Sequence, residues 1–520
     1  MIMGWWLCSR RRGQVEGVLT RFDPRFWTVN FPRPMMASVV SIAHDALRVD
    51  AVFYRRGDLA GLIWEAEDRL DHPLFAYETR RDFRDCVLKF RWRSGGIIPL
   101  DQINGPTLTI EGRDAAGNPR AWYVRLWNYA VGDPEDAAIS IDFADVVGGY
   151  TLPAEADAVW AGDVDRLFIS LVAPGYAAGD ETAFTSGVDG WAEISDIVVD
   201  GPGAVLAIGD AVAPEHGLRL AGGYDDSYNV TPARLLRNAW QLGYRGDLVH
   251  YVGMSHFFRL APEGEALLVS LAGGALNGPC AAWHADFFAR AKALDYRPVV
   301  SLSYELFAAH CWDDWKQRDH SGAPGLTGWE PPSALLSPAH GGAMAYLQAV
   351  ARAFCALAGG AGLAVRFQVG EPWWWTNSGG RICLYDATAI AVLPAHDAIT
   401  DIRAALDADQ IAALDAAGAL LAASTAALVA AVRMDHPGAE ALLLVYLPTV
   451  LDAAAPHAKR ANVPIGWARP AFDVLQLEDY DWVVAERTTA TARGVAATTA
   501  RLGYPIGEQH YFSGFVLRPD

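Results

Sequence analysis

Cysteine is scarce in this sequence, and its six cysteines never form a close pair. A disulfide framework or a structural zinc site is therefore not indicated, and free thiols in a reducing compartment are the simplest interpretation. The GxGxxG, P-loop and GxSxG spacings are also missing, so neither nucleotide binding nor a serine-hydrolase mechanism is indicated. Since no metal-ligand spacing stands out either, we expect no metal and no cofactor.

Positive charge is in short supply as well. The chain has 42 Lys and Arg against 61 Asp and Glu, which gives a formal net charge of −19. Because such an excess repels a phosphate backbone, binding to nucleic acid is not expected. The one basic stretch, residues 80–93, is interleaved with acidic residues and is predicted to lie on strand faces.

Long apolar runs without polar residues are also missing. The longest stretch of low charge, IAALDAAGALLAASTAALVAAV, is mostly alanine but contains Asp, Ser and Thr. Such a stretch is typical of a packed helix rather than a membrane span. The first residues, MIMGWWLCSRRR, place apolar residues before basic ones, the reverse of a secretory signal. We therefore expect neither membrane insertion nor export.

What the sequence does have is a large apolar share, 52% of 520 residues. At about 150 residues per domain, this length predicts two to four domains. After an N-terminal arm at residues 1–37, short apolar runs split by Gly, Pro, Asn and Asp fill residues 38–212. This pattern predicts an all-β sandwich of the jelly-roll type. Within it, the stretch LAGLIWEAEDRL is interpreted as either one helix or a long connection.

Residues 213–520 have a different pattern, in which short apolar runs alternate with helix-like segments, and this predicts a TIM-barrel-like (β/α)8 domain. The strand runs are 217–224, 247–254, 297–306, 364–372, 441–448, 472–479 and 511–517. Helices are predicted near 231–242, 279–294, 339–358, 409–433 and 484–502. Because a closed barrel needs eight strands, we expect the eighth either within residues 380–393 or beyond residue 520, in which case the barrel is incomplete.

Polar and aromatic residues gather at the ends of the predicted barrel strands. In a β/α barrel the C-terminal strand ends meet in one mouth, where catalytic residues are found. Aromatic rings pack on the C–H faces of sugars and carboxylates accept hydrogen bonds from hydroxyls, so this set predicts a carbohydrate ligand. The candidate ligand-binding residues are Asp225, Asp226, Tyr228, Tyr304, Glu305, Trp373, Trp374, Trp375, Tyr446, Asp479 and Tyr480.

Two carboxylates that end apolar strands, Glu371 and Glu478, form the candidate catalytic pair. Across one glycosidic bond, such a pair supplies an acid together with a nucleophile or base. Burial beside the tryptophans of QVGEPWWW would raise the pKa of Glu371, as a general acid requires. The alternative is that the carboxylates only solvate the strand ends, and that the tryptophans pack under a loop or against another subunit.

The segment QVGEP resembles the Asn-Glu-Pro motif that carries the acid/base of the large retaining glycosidase superfamily with β/α barrels. Gly370 stands where that superfamily has Asn, which supports the 2-hydroxyl of the sugar, and this departure counts against hydrolysis. The nucleophile of the superfamily lies on its seventh strand. In this chain either Glu478 or Glu508 would have to fill that role.

A second resemblance covers nearly the whole chain. The segments GVLTRFDPRFWTVNFPRPMMASVV, GLRLAGGYDDSYNVTP, FQVGEPWWW and DVLQLEDYDWV resemble those of phage non-contractile tail sheath proteins with a TIM-barrel domain, which is akin to the glycosidase-like barrels of gene transfer agent tails. The resemblance implies a virion structural protein, assembled in the host cytoplasm into homo-oligomeric rings around a tail tube protein, with hexamers as one option. It also implies a glycan as ligand of the barrel, whose catalytic pair is then vestigial. The alternative function is a retaining glycoside hydrolase acting on cell-surface or capsular polysaccharide.

Overall fold

The computed structural model describes residues 18–71, 76–77, 80–201, 203–208 and 212–512. Up to residue 208 the regular structure consists almost entirely of strands. These are β1 (Val18–Thr20), β2 (Thr28–Asn30), β3 (Met36–Ala43), β4 (Ala46–Arg55), β5 (Leu59–Glu65), β6 (Val87–Gly95), β7 (Thr107–Arg113), β8 (Pro119–Arg125), β9 (Ala130–Asp133), β10 (Asp136–Asp142), β11 (Val147–Gly148), β12 (Asp157–Ala158), β13 (Val164–Val172), β14 (Ala183–Asp200) and β15 (Val205–Ile208).

Two antiparallel sheets form the body of this first part. One has six strands in the order β3-β4-β14-β6-β10-β9, and the other has five in the order β2-β5-β13-β7-β8. Their facing side chains form one buried core, which is the arrangement of a sandwich. The jelly-roll connectivity stays a prediction.

The sandwich begins earlier than the sequence indicated. Residues 18–37, predicted as part of a free arm, include β1, which pairs with β15, and β2, which pairs with β5. Phe22, Phe26 and Trp27 are buried in the core, because packing between the sheets removes their large apolar surfaces from water. Residues 1–17 of the predicted arm lie outside the described residues.

The stretch LAGLIWEAEDRL is neither a helix nor a connection, because its first seven residues form β5. The strand is buried on both faces, so its apolar residues run without the alternation that marks a half-exposed strand. The missing alternation is the physical reason why the sequence did not indicate a strand at this position.

The outer face of the six-stranded sheet is charged but locally neutral. In β6 the residues Leu88, Phe90 and Trp92 face the core and alternate with basic residues that point outward. Each outward basic residue meets an acidic residue of a neighbouring strand, as expected for cross-strand pairs. The pairs are Lys89–Asp200, Arg91–Asp136 and Arg93–Glu193. The basic stretch of the sequence is therefore compensated within the sheet.

The second part alternates strands and helices. Its strands are β16 (Leu220–Gly223), β17 (Asp247–Met254), β18 (Arg259–Glu263), β19 (Ala266–Ser270), β20 (Arg297–Phe307), β21 (Ser333–Leu335), β22 (Arg366–Gly370), β23 (Thr376–Asn377), β24 (Arg381–Ile382), β25 (Glu440–Tyr446), β26 (Val474–Glu478) and β27 (Gln509–Phe512). Its helices are α1 (Pro232–Gln241), α2 (Gly278–Ala293), α3 (Gly341–Gly360), α4 (Ala387–Val392), α5 (Ala408–Asp435), α6 (Pro448–Leu451), α7 (Ala458–Asn462), α8 (Asp481–Val484) and α9 (Thr488–Leu502).

Parallel strands in sequence order make this part TIM-barrel-like. The parallel strands are β16, β17, β20, β22, β25, β26 and β27, and each overlaps one of the predicted runs. Residues 380–393 do not supply another parallel strand, because β24 pairs with β23 and α4 follows it. Within the described residues the remaining member of the sheet is β21, which runs antiparallel to β20.

One described helix, α5, is long and apolar enough to cross a membrane by length and composition alone. However, 56% of its most apolar window is buried inside the protein, and the core helix of a soluble protein passes the same test. Leu414, Leu421 and Leu428 pack into the core of the second domain. The helix therefore packs in the protein core, as its alanine-rich sequence predicted.

The two parts are joined by buried polar contacts as well as by apolar packing. Arg234 of α1 forms ion pairs with Asp68 and Asp71 of the sandwich, and all three side chains are almost fully buried. The hydroxyl of Ser38 donates to the carbonyl of Pro279 at 2.8 Å. Since the guanidinium group is enclosed, both carboxylates depend on it for compensation.

We predict that Arg234→Met lowers the free energy of unfolding by about 3–5 kcal/mol, because it leaves two buried carboxylates without their cation. Because methionine keeps the apolar part of the side chain, the loss of stability measures the effect of removing the positive charge. The measurement is urea denaturation at neutral pH. The matched control is Arg352→Met, which breaks the solvent-screened pair with Asp435 and should destabilise the protein far less. Equal losses in both variants would contradict the prediction.

Candidate functional site

The interior of the parallel sheet is layered from apolar to acidic. At the N-terminal end, an apolar layer is formed by Val249, Val299, Leu442 and Val474. Above it, polar side chains on β20, β22 and β26 form a chain of hydrogen bonds across the interior. Ser301 Oγ donates to Gln368 Oε1 and Gln368 Nε2 donates to Gln476 Oε1, each at 2.7 Å. The next layer, at the C-terminal strand ends, contains the carboxyl groups.

Glu305 and Glu371 lie side by side in this upper layer. Glu305 is only 1% exposed, and neither of its carboxyl oxygens accepts a hydrogen bond from a described N–H or O–H group. Burial, reinforced by the negative charges of Glu371 and Asp225, raises the pKa of Glu305 well above its ordinary value. Burial also raises the pKa of Glu371, although a hydrogen bond with Ser303 opposes this. Because the two carboxyl groups lie side by side in a buried space, ionisation of one makes ionisation of the other less favourable.

Glu478 completes the acidic layer at the end of β26. It is also 1% exposed, and both of its oxygens lack a hydrogen-bond donor among the described residues. Burial, followed by the charges of Glu371 and Asp481, raises its pKa to about 8. At neutral pH the side chain is therefore mostly a neutral acid that can donate a proton.

Aromatic side chains form the rim above the carboxyl groups. Tyr446 lies between Trp373, whose ring centroid is 6.1 Å away, and Tyr480, at 5.7 Å. Its hydroxyl donates to Asp481, which fixes the ring. All three rings are half-buried, so part of each face is open to a ligand.

The three consecutive tryptophans have different environments. Trp374 is 1% exposed and its indole N–H donates to the carbonyl of Ala417 in α5 at 3.0 Å, so it is a core residue and not part of the rim. Gln317 is buried and fixes the segment by donating to the carbonyl of Trp373 and accepting from the backbone N–H of Trp375. Trp375 is half-buried against the loop that contains Gln317.

Tyr304 also points away from the mouth. In β20 the side chains of Ser301, Ser303 and Glu305 face the interior of the sheet, so Tyr304 between them faces the helices. Its hydroxyl is 2.9 Å from Ser424 Oγ in α5. Neighbouring residues of one strand cannot both reach the mouth, and of this pair the structure places Glu305 there.

The residues after β16 have several different surroundings. Asp225 accepts hydrogen bonds from Ser255 and lies 2.8 Å from Nδ1 of His256, and its charge acts on Glu305. Tyr228 stacks on His256 with ring centroids 3.9 Å apart, at the contact between the two domains. Asp226 is exposed to solvent.

Asp479 and Glu508 have structural surroundings. Asp479 is fully buried and accepts hydrogen bonds from the backbone N–H of Trp482 and from the hydroxyl of Thr491, which ties α8 to α9. Glu508 precedes β27, and so lies at the N-terminal end of the sheet, where it pairs with Arg469 at 2.7 Å. The alternative in which Glu508 acts as the partner of Glu371 is therefore wrong.

Sequence reasoning missed two residues of the mouth, Ser303 and Asp481. It also did not include Tyr251 among the ligand-binding candidates. Burial and the charges of Glu478 and Glu371 raise the pKa of Tyr251 well above its ordinary value, which places its hydroxyl near both acids. A signal for Ser303 was present, since SLSYEL alternates polar and apolar residues with the period of a strand.

Gly370 has a steric reason to replace the asparagine of the glycosidase motif. A Cβ atom at this position would lie 2.7 Å from Ser301 Oγ, which is fixed by its bond to Gln368. Directly after it, Glu371 has φ of +49°, a left-handed conformation that is unfavourable for a residue with a side chain. The backbone turn at this point aims the Glu371 side chain into the mouth.

Fold and site together define a two-domain protein in which a β-sandwich is joined to a TIM-barrel-like domain with an acidic, aromatic mouth. Residues 214–520 match the family described as the non-contractile tail sheath protein TIM barrel. Residues 19–209 match the non-contractile tail sheath N-terminal domain. The chain therefore belongs to the non-contractile tail sheath protein family, which confirms the resemblance seen in the sequence and gives it a structural role in a tail sheath, as a component of the virion.

Several solved structures are similar to this chain at low sequence identity. The glycoside hydrolase domain of PgaB (BpsB) from Bordetella bronchiseptica is 14% identical over 58% of this chain and 84% of that one, with a TM-score of 0.39. A GH18 chitinase from Pseudoalteromonas aurantia is 11% identical over 57% and 80%, with a TM-score of 0.28. The GH36 α-galactosidase AgaB from Geobacillus stearothermophilus is 10% identical over 94% and 68%, with a TM-score of 0.31. At these scores the matches carry no weight for the chemistry of the mouth.

We predict that Glu478→Gln makes the stability of the protein less sensitive to alkaline pH. The folded wild type keeps a proton on Glu478 up to about pH 8, whereas the unfolded chain releases it near pH 4.5, so the contribution of this group to stability is lost as the pH rises between these values. Relative to wild type, the variant should gain about 3–5 kcal/mol between about pH 5 and about pH 8.

The measurement is urea denaturation of both proteins across this range. Glu508→Gln serves as the control at the opposite end of the sheet and should keep the wild-type pH dependence. Parallel curves for wild type and Glu478→Gln would show that the carboxyl group titrates normally in the folded protein.

Proposed function

We propose that this protein is the repeating subunit of a homo-oligomeric sheath that encircles the tail tube protein, and that the barrel mouth binds a glycan. The observation that carries the first half is the match of both domains to the tail sheath family, over residues 19–209 and 214–520. A sheath of this kind is built from copies of one chain, which we expect to close into rings in the host cytoplasm. Six subunits per ring is the first number to test.

The open edge of the sandwich is the surface that we expect to contact the next subunit. The opposite edges of the two sheets are covered by the barrel domain. The backbone N–H of Val29 in β2 donates to the carbonyl of Asn229, and β3 packs on α2. At the far side, β9 ends the six-stranded sheet with Val131 79% exposed. An exposed edge strand offers unpaired backbone groups to another chain. The flat faces, in contrast, carry ion pairs that are already compensated.

We predict that Val131→Lys prevents or weakens ring formation on purified tail tube protein, because a lysine on an edge strand opposes pairing with another chain. Electron microscopy and size-exclusion chromatography provide the measurement. Val392→Lys, an equally polar change at an exposed position of α4, is the matched control and should leave assembly intact. Rings from both variants would remove β9 from the interface, and a wild type that stays monomeric with the tube protein would contradict the assembly proposal.

Glycan binding is supported by the composition and geometry of the mouth. Half-buried rings of Trp373, Tyr446 and Tyr480 lie above carboxyl groups that have no protein donors. Sugar hydroxyls would supply the missing hydrogen bonds, while the C–H faces of the sugar pack on the rings. A tail protein with such a mouth would attach to the cell-surface or capsular polysaccharide of its host.

A retaining glycoside hydrolase is the second candidate function, and the proximity of Glu371 and Glu478 favours it. The negative charge of Glu371 contributes to the raised pKa of Glu478, which indicates that the two carboxyl groups are close. Against hydrolysis stand Gly370 in the place of the motif's asparagine and the burial of both acids, which disfavours the ionised carboxylate that a retaining mechanism needs as nucleophile. Binding without cleavage is therefore the preferred function.

If the protein does cleave a glycan, we predict that Glu371→Gln lowers the rate by at least about 100-fold, because the amide cannot transfer a proton to or from the glycosidic oxygen. Release of reducing ends from capsular or cell-wall polysaccharide is the measurement. Glu508→Gln should retain the wild-type rate. A Glu371→Gln variant with an unchanged rate would exclude this residue from the mechanism.

A further inference from the structure

The mouth contains several acids and no described base that compensates them. Glu305, Glu371 and Glu478 form no ion pair with any arginine, lysine or histidine among the described residues. Other charges that act on them come from Asp225 and Asp481, which are also acidic. A ligand that carries negative charge, such as a uronic acid or a sialic acid, would therefore find no described cation to pair with.

The acids converge because of the order of the strands. Glu305 lies on β20, Glu371 directly follows β22, and Glu478 ends β26, with the backbone of Tyr446 on β25 paired to that of Glu478. Since β20, β22, β25 and β26 are successive parallel strands, their C-terminal ends face one space. Two of these acids are 1% exposed and have no hydrogen-bond donor on either oxygen. Buried polar groups without protein partners are rare, and a ligand that donates hydrogen bonds to them would account for their presence here.

We propose that the glycan recognised here contains unsubstituted amino sugars, and that the ammonium group of one such residue is bound between Glu305, Glu371 and Glu478. This inference rests on the proposed glycan-binding function and specifies its substrate class. The ammonium group brings both the positive charge and the N–H donors that the mouth lacks. An N-acetylated sugar would offer one N–H and no charge at this position, so it could form no ion pair with the acids.

Proton balance gives the proposal a distinctive signature. Burial raises the pKa of each acid, and a bound ammonium ion favours the ionised forms, so binding lowers these pKa values and releases to solvent the protons that the acids held. Binding should therefore strengthen as the pH rises from about 5 to about 6, where the amine of an amino sugar is still largely protonated. A neutral oligosaccharide would show no such dependence and no coupled proton release.

The test compares two ligands of equal length on the complete chain. Isothermal titration calorimetry with a tetramer of glucosamine and with a tetramer of N-acetylglucosamine, each in two buffers of different ionisation enthalpy, gives both the affinity and the protons released. We expect the glucosamine tetramer to bind at least about 10-fold more tightly at about pH 6, with proton release, because its amines are protonated before binding. Spermidine, a polyamine without sugar rings, should bind at least about 10-fold more weakly than the glucosamine tetramer.

Variants locate the effect within the chain. Glu305→Gln and Glu478→Gln should each reduce the preference for glucosamine to less than about 3-fold, whereas Glu508→Gln, at the opposite end of the sheet, should preserve it. A loss in Glu508→Gln as large as in the mouth variants, or spermidine binding as tight as the sugar, would assign the effect to the overall negative charge and overturn the proposal.

The ligands also separate this inference from the proposed function. Equal affinity for both tetramers would overturn the amino-sugar inference and leave glycan binding intact. Binding of neither tetramer, combined with binding of a different neutral glycan, would have the same consequence. Binding of no glycan would overturn both proposals for the mouth, while ring assembly would still be judged by microscopy. Since these comparisons use the wild-type chain, they hold even if a glutamine variant fails to fold.

Discussion

The mouth of the parallel sheet depends on the burial of carboxyl groups that no protein donor compensates. Glu305 and Glu478 are enclosed in a low-dielectric space and can remain there only in their neutral forms, which raises their proton affinity. Below these acids, apolar residues fill the lower layer of the interior. A hydrogen-bonded chain of Ser301, Gln368 and Gln476 forms the layer between the two. The acidic layer is thus supported from below and lies beneath the aromatic rim.

On the surface of the sandwich, in contrast to the mouth, each charged side chain described above is compensated by a neighbour of opposite charge. Its outward arginines and lysines pair with acids on neighbouring strands, so the faces carry little net attraction for a partner. The net charge of −19 makes face-to-face contact between copies still less favourable. Strand edges and helical surfaces are what remain for assembly. This division assigns the two expected functions to different surfaces, with the subunit contact on the sandwich and ligand recognition at the barrel mouth.

The fold was readable from the sequence where hydrophobic periodicity is clear. The seven parallel strands are short apolar runs between helical segments, and the structure places a strand in each. The failures have local causes. β5 is buried on both faces and shows no alternation. Of two neighbouring candidates on β20, Tyr304 and Glu305, only one can face the mouth. Trp374 belongs to the core because the chain turns at Glu371, a feature of backbone conformation that residue types alone do not specify.

The energetics of the candidate site also bear on whether the mouth is a vestigial active site or a functional binding site. A buried acid without a partner destabilises the folded state at neutral pH by an amount that grows with its pKa shift, and a change to glutamine or leucine would relieve that cost without disturbing the strands. Glu371 adds a left-handed backbone conformation. Several independent sources of strain at one place, in a domain that is otherwise locally compensated, are typical of functional sites rather than of surfaces kept for folding. If the barrel had only a space-filling role in a sheath, there would be no physical reason for the buried acids and the left-handed residue to occur together. The arrangement is explained if the acids meet a ligand that carries the donors and the charge that the protein omits.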